Sequence, residues 1–182
     1  LIPHLLSDYC MENDSQLIHI STDCVFSGKK GNYLDSDSPD PQDLYGRSKL
    51  LGEVSNKNAL TIRTSIIGPE INSANGLFEW FKSSEKSIYG YKEAFFSGLP
   101  TIELSKIIFQ FLIKRKIKND IYNLSSNPIS KFDLLNLINE VYDFNKDIIA
   151  DDSLKIDRTL NCERFIENTG FVKSEWKDML VR

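Results

Sequence analysis

Tyr45 and Lys49 stand four residues apart in the stretch LYGRSKLLGE. On a helix, both side chains leave from one face. A phenol has an unperturbed pKa of about 10 and is a poor acid–base group at neutral pH. An ammonium a few ångströms away favours the phenolate and lowers that value. The pair is therefore suited to moving a proton to or from an oxygen near pH ~7. The same spacing also suits an ordinary amphipathic helix. A second feature adds weight: Ser21, Thr22 and Asp23 directly follow QLIHI, an apolar run that reads as a buried strand. In a parallel sheet the carboxyl end of a strand borders the ligand crevice. Thr22 is thus expected where one substrate oxygen meets both its hydroxyl and Tyr45. Asp23 also suits a plain strand-end turn closed by an Asx-type hydrogen bond.

The elements that must position these groups follow from periodicity and turn residues. Residues 1–12 read as the tail of an amphipathic helix, with Leu1, Ile2, Leu5, Leu6 and Tyr9 at helical spacing. Segment 27–43 carries Gly28, Gly31, Pro39 and Pro41 among Asp35, Asp37, Asp40 and Asp43. That is the composition of a long loop that closes over a site or stays disordered. A helix is expected over 44–56, with Leu50, Leu51 and Val54 inward, and a strand over 59–68. Strand, helix, strand in that order implies a parallel pair with a right-handed connection.

Beyond Gly68 the expected order is a short helix over 75–84, a strand-like run over 87–96 and a helix over 99–115 opened by Pro100 and Thr101. A strand over 120–126 follows, then a helix opened by Ser130 with Asp133 three residues on, a near capping box. A polar loop is expected over 146–155, and a last helix over 161–171 stopped by Gly170. Phe78 and Trp80 are expected to fill a core. The fold class is α/β. Residues 1–68 read as the C-terminal part of a doubly wound, Rossmann-like parallel sheet. Residues 69–182 read as mainly a smaller mixed α/β subdomain, with some segments returning to that sheet.

Composition bounds the function classes. The 182 residues suit one ordinary domain or slightly more, and 41% hydrophobic with 26% charged residues is a globular balance. A net charge of −4 disfavours a broad nucleic-acid or membrane footprint, so an anionic ligand must be held by a local group of donors. No apolar run approaches the ~20 residues of a membrane span. Cys10, Cys24 and Cys162 are odd in number and lack metal-ligand spacing, which reads as reduced thiols of a cytoplasmic protein. With His4 and His19 the only histidines, a histidine-based metal site is not expected.

Four stretches in order resemble the extended short-chain dehydrogenase/reductases: STDCVFSG, an acidic proline-containing loop, LYGRSKLLGE and IRTSIIG. Within them the resemblance is to dTDP-4-dehydrorhamnose reductases and related nucleotide-sugar 4-ketoreductases. It is dense over 16–68 and looser afterwards, through GLPTIELSKII, IYNLSSNPISKFDLL and CERFIENTGF. The resemblance implies that Tyr45 gives a proton to a ketone, that Lys49 binds the nicotinamide ribose and lowers the Tyr45 pKa, and that Thr22 hydrogen-bonds the substrate oxygen. It implies NADP or NAD as cofactor, bordered by Ser21, Tyr45, Lys49 and Ser65. It implies a nucleotide-sugar substrate bordered by Thr22, Asp23, Cys24, Phe26 and Ser65, and a homodimer as a possible assembly. Arg63 reads equally as a structural ion-pair residue.

Two departures bear on these expectations. The glycine fingerprint G-x-x-G-x-x-G is absent, so the phosphate cradle of the cofactor is expected upstream of Leu1. Cys24 replaces the Tyr of the usual S-T-D-Y-V-F, which points to a differently substituted sugar or to neutral packing. Epimerisation uses the same Tyr and Lys and stays open. So does a non-catalytic role like that of the regulatory β subunit of methionine adenosyltransferase, which resembles the same family. Lys92, Lys155 and Arg158 are the candidates for the substrate phosphates, each equally suited to being a solvated surface cation.

Overall fold

The computed structural model describes residues 1–71, 76–114 and 117–181. Helix α1 (Ile2–Glu12) leads into strand β1 (Leu17–Ile20). A short 3-10 turn, Asp23–Val25, follows, and the next regular element is helix α2 (Leu44–Leu50). Strand β2 (Ala59–Arg63) then runs parallel to β1, with Leu17 opposite Ala59 and Ile20 opposite Ile62. Strand β7 (Ile121–Asn123) adds to the other edge of β2, also parallel. The order β1-β2-β7 is the expected parallel sheet with helical crossovers.

β2 is buried at all five positions, whereas β1 is only half-buried along its length. Among the described residues β1 pairs with β2 alone, so its outer edge is open. Helix α1 beside it leaves Leu1, Ile2, Leu5, Leu6 and Tyr9 exposed.

The rest of the chain builds smaller sheets around one core. β3 (Ile66–Ile67) pairs with β6 (Leu99–Pro100), and β4 (Ser87–Tyr91) with β9 (Asp147–Asp151). β5 (Ala94–Phe96) lies between β8 (Ile129–Ser130) and β10 (Ile156–Asp157). Helices α3 (Leu77–Ser83), α4 (Thr101–Ile107), α5 (Lys131–Tyr142), α6 (Glu163–Thr169) and α7 (Trp176–Val181) pack against them. The core joins Leu60 and Ile62 of β2 to Tyr122, Leu134, Ile138 and Phe165, each 1% exposed or less. Phe165 meets Tyr122, Phe111 and Phe171 edge-on.

Several expectations need correction. Helix 44–56 stops at Leu50, leaving Leu51 exposed, while Val54 is buried beyond it. The strand expected over 59–68 breaks after Arg63, and Ile66–Ile67 joins a different sheet. Run 87–96 is two strands, and the helix after Pro100 turns into a π-helix over Ile108–Ile113. Residue 115 of that expected helix, and residue 75 of the one before it, lie outside the described residues. The expected polar loop 146–155 contains β9, whose backbone pairs fully with β4 despite its two end aspartates. Helix α7 was not anticipated. Trp80 is 43% exposed and not a core residue, while Phe78 is buried.

Two local expectations hold. Ser130 caps α5, accepting from the Asp133 amide at 3.0 Å while its hydroxyl donates to the Asp133 carboxylate at 2.6 Å. Gly170 ends α6 at φ 71°, a left-handed position where glycine carries no Cβ penalty.

Candidate functional site

The site assembles where β1 ends. Ser21 continues the ladder by donating its amide to Ile62 at 2.7 Å, and Thr22 then opens the 3-10 turn. The Thr22 hydroxyl accepts from the Cys24 amide at 3.2 Å and donates to the Asp23 carboxylate at 3.2 Å. Asp23 thus holds the Thr22 hydroxyl, and Thr22 rather than Asp23 accepts the backbone amide that closes the turn; both are almost wholly buried.

Helix α2 is brought to this turn from the other side. Asp43 caps it, accepting from the Gly46 amide at 2.6 Å. Gly46 lies against the Cys24 carbonyl and Pro41, so close that a Cβ there would meet both. One turn on, Lys49 donates to the Ile20 carbonyl at 2.5 Å, on the last residue of β1. Gly46 and Lys49 therefore dock α2 along the strand end. Tyr45 precedes Gly46, stands one turn from Lys49, and is 56% exposed, open to a ligand. Burial lowers the Lys49 pKa below the ordinary 10.5, and the Glu53 charge opposes that shift. One of the three ammonium donors is used on Ile20, which leaves two for hydroxyls of a bound molecule.

Beneath the site lies a buried ion pair. Arg63 donates from Nε and Nη2 to the Glu53 carboxylate at 2.8 and 2.7 Å, and the Ser21 hydroxyl donates to the same group at 2.8 Å. The structural reading of Arg63 is therefore the one its contacts favour. Ser65 is half-buried, and its carbonyl accepts from Leu99 at 2.8 Å, which ties it to β6. Phe26 is wholly enclosed, stacked on Tyr33 at 4.2 Å between ring centroids with the Arg63 guanidinium 5.2 Å away. It is packing for the turn and has no surface for a substrate.

The acidic loop is neither disordered nor a free flap. The Tyr33 hydroxyl accepts from the Gly28 and Lys30 amides, each at 3.1 Å, and Tyr33 bridges to Leu160. Each acidic residue has a backbone partner. Asp35 accepts from Asn123 at 2.5 Å, Asp37 from Leu34 and Asp40 from Ser27 at 2.8 Å, and Asp43 caps α2. Hydrogen bonding from Lys30 holds the Asp37 carboxyl below its usual range. The bond from Ser27 does the same for Asp40, whereas burial raises Asp35.

Next to the turn lies a cavity of about 500 Å³, walled by Trp80, Tyr89, Tyr91, Ile156, Lys131 and Arg158. Arg158 donates to the Phe26 carbonyl at 3.1 Å and to the Cys24 sulfur at 3.5 Å, linking the cavity to the site. Lys131 stands 4.2 Å over the Phe96 ring, its pKa lowered by burial against the opposing charge of Asp23. Sequence reasoning named Arg158 and missed Lys131, although the quoted stretch IYNLSSNPISKFDLL contains it. Of its other cations, Lys92 pairs with Asp152 at 3.6 Å on the surface. Burial, with the Asp23 charge, raises the Cys24 thiol pKa, so it is a neutral half-buried thiol. Among the described residues no cluster could hold a metal ion, and no helix is long and apolar enough to cross a membrane.

The parallel β1-β2-β7 sheet with its helical crossovers defines the class: a Rossmann-like α/β fold. The chain belongs to the RmlD substrate binding domain family, whose profile matches residues 1–151. A solved hypothetical dTDP-4-dehydrorhamnose reductase from Sulfolobus tokodaii superposes with a TM-score of 0.77 at 28% identity, covering 96% of this chain and 66% of that one. The Bacillus anthracis dTDP-4-dehydrorhamnose reductase, solved in complex with NADP, shares the fold at TM-score 0.79 and 21% identity over 95% of this chain and 66% of that one. The probable low-salt glycan biosynthesis reductase Agl14 of Haloferax volcanii is 41% identical over 70 residues, 36% of this chain and 23% of its own length. Methionine adenosyltransferase 2 subunit beta of Danio rerio is 56% identical over 39 residues, 21% of this chain and 12% of that protein. The chain thus matches less than a quarter of the length of these two relatives.

Proposed function

We propose that this chain is the acid–base and substrate-binding portion of an NAD(P)H-dependent 4-ketoreductase of the extended short-chain dehydrogenase/reductase type. Its substrate is a nucleotide-linked 4-keto-6-deoxy sugar, and its product serves polysaccharide precursor synthesis in the cytoplasm. One observation supports the reading: α2 docks through Gly46 on Cys24 and through Lys49 on Ile20, beside the turn that Thr22 opens, and Tyr45 is the residue next to Gly46.

Each residue then has a task. Thr22 turns its one hydroxyl proton from the Asp23 carboxylate to the ketone oxygen, and Tyr45 hands that oxygen its phenolic proton. Lys49 holds ribose hydroxyls with its two remaining donors and favours the phenolate left behind. The nicotinamide supplies the hydride that the carbonyl carbon accepts, so ketone becomes alcohol and the cofactor is oxidised. Ser21 and Ser65 border the cofactor side. The pyrophosphate cradle is not among these residues, since no glycine fingerprint is present. The Lys131–Arg158 cavity takes the nucleoside diphosphate: two cations face its phosphates, and Trp80, Tyr89 and Tyr91 offer flat walls to its base. Residues 1–68 and 69–182 divide accordingly into a cofactor-and-acid–base part and a mainly substrate-binding part.

The test is oxidation of NAD(P)H by the full-length protein on 4-keto nucleotide sugars. Steady consumption of NAD(P)H supports reduction. Interconversion of sugar epimers without net cofactor oxidation supports an epimerase instead. A partner enzyme that co-purifies, with no turnover on any keto sugar, supports the regulatory role that the named subunit among the relatives brings forward.

A further inference from the structure

Glu53 has an almost wholly buried side chain, yet three parts of the site converge on it. It follows α2 by one turn and is four residues beyond Lys49. Its carboxylate takes the Ser21 hydroxyl at 2.8 Å, next in the chain to Thr22. It takes both Arg63 donors, at the end of β2, and Arg63 in turn donates from Nη1 to the Asp35 carbonyl of the acidic loop at 3.3 Å. Glu53 and Arg63 are 4% and 5% exposed, so water does not compete for these bonds. A fold needs no ion pair here for stability alone, since buried pairs are often replaceable by apolar packing. What the pair supplies is a fixed distance between the Thr22 strand end and the Tyr45–Lys49 helix.

We propose that Glu53 is a positioning residue for the reduction: one buried carboxylate, shared by Ser21 and Arg63, locks the strand end bearing Thr22 to the helix bearing Tyr45 and Lys49. The inference rests on the ketoreductase reading above. Arg63 is the counter-charge that keeps the carboxylate aimed, and Ser21 is the link to Thr22. The lock acts on the step in which reacting atoms must be aligned. It therefore governs kcat, and it leaves sugar binding in the Lys131–Arg158 cavity alone.

The experiment is a double-mutant cycle in the full-length protein with Glu53→Gln and Ser21→Ala. Glu53→Gln keeps the shape and removes the charge, and Ser21→Ala removes only the hydroxyl. Each single change should lower kcat by about 10- to 100-fold, the cost of sub-ångström misalignment, with KM for the keto sugar within a few-fold of wild type. The double variant should be no slower than Glu53→Gln, because both remove one link. A Ser21→Ala enzyme within about threefold of wild type in kcat overturns the proposal, as do single losses that multiply in the double variant. If Glu53→Gln does not fold, Arg63→Lys replaces it in the cycle and the same criteria decide. If the wild type turns over no keto sugar, the ketoreductase reading falls first. The lock is then read from NAD(P)H fluorescence titration, in which both variants should weaken binding non-additively, and unchanged binding in both sinks it.

Discussion

Replacing Gly46 by Ala tests whether the approach of α2 to the strand-end turn makes the site. The Gly46 Cα faces the Cys24 carbonyl so closely that an added methyl group would fall well inside 3.0 Å of its oxygen. The same group would lie 3.0 Å from the Cys24 carbonyl carbon and from the Pro41 Cβ. Backbone on one side and a proline ring on the other leave no side chain to swing away. The helix must lift, and Tyr45, the adjacent residue, lifts with it. Overpacking of this kind costs about 1–3 kcal/mol. Removing a helix-interior glycine returns roughly 0.5–1 kcal/mol. The net loss is about 0–2.5 kcal/mol, or at most roughly 10 °C in Tm for a chain of this size. The catalytic loss should be on the order of 100-fold in kcat for a displacement approaching 1 Å. The assay pairs a thermal melt with NAD(P)H oxidation kinetics on the full-length protein. A Gly46→Ala enzyme that keeps kcat within threefold of wild type refutes the docking argument, whatever its Tm.

Three further outcomes follow from the same geometry. Tyr33→Phe keeps the stack on Phe26 but strips the acceptor from two amides, one of them buried. It should cost about 2 kcal/mol, roughly 4–8 °C in Tm, and a shift under 1 °C would show that the hydroxyl does not hold the loop. Because burial lowers the Lys49 pKa, dinucleotide affinity should fall as pH rises through a value below the ordinary 10.5. Glu53 holds that value up, and burial lowers the pKa of the neighbouring His19 below its ordinary 6.5. Fluorescence titration checks this, and flat affinity up to pH ~10.5 would contradict the ammonium's role. The 182 residues expressed alone should self-associate or melt broadly, because α1 presents Leu1, Ile2, Leu5, Leu6 and Tyr9 beside the open edge of β1. A monomer by light scattering with a sharp two-state melt would contradict that.

The parallel pair, the strand end before Thr22 and the helix carrying Tyr45 and Lys49 were legible because each rests on local signals: an apolar run, a capped helix and an i,i+4 pair. The α5 cap and the Gly170 stop were legible for the same reason. What the sequence hid depends on distant partners. β9 reads as polar loop because its strand character comes from backbone pairing with β4, and no side-chain pattern announces that. The acidic loop looked like a flap, since its aspartates look solvated until Asn123, nearly ninety positions away, appears as the partner of Asp35. Phe26 sits in a motif that suggests a ligand contact, yet Tyr33 and Arg63 enclose it. Lys131 opens α5 inside a stretch whose legible signal is the Ser130 cap, and its place in the wall of the cavity comes only from the fold.

The central claim is that Tyr45 donates the proton to a keto sugar at the strand end bearing Thr22. It is tested most directly by kcat for Tyr45→Phe against wild type, in the full-length protein with saturating NAD(P)H and 4-keto nucleotide sugar. Losing the general acid should lower kcat by roughly 10²- to 10⁴-fold, with the fold and dinucleotide binding intact. A Tyr45→Phe enzyme that turns over within a few-fold of wild type would contradict the account.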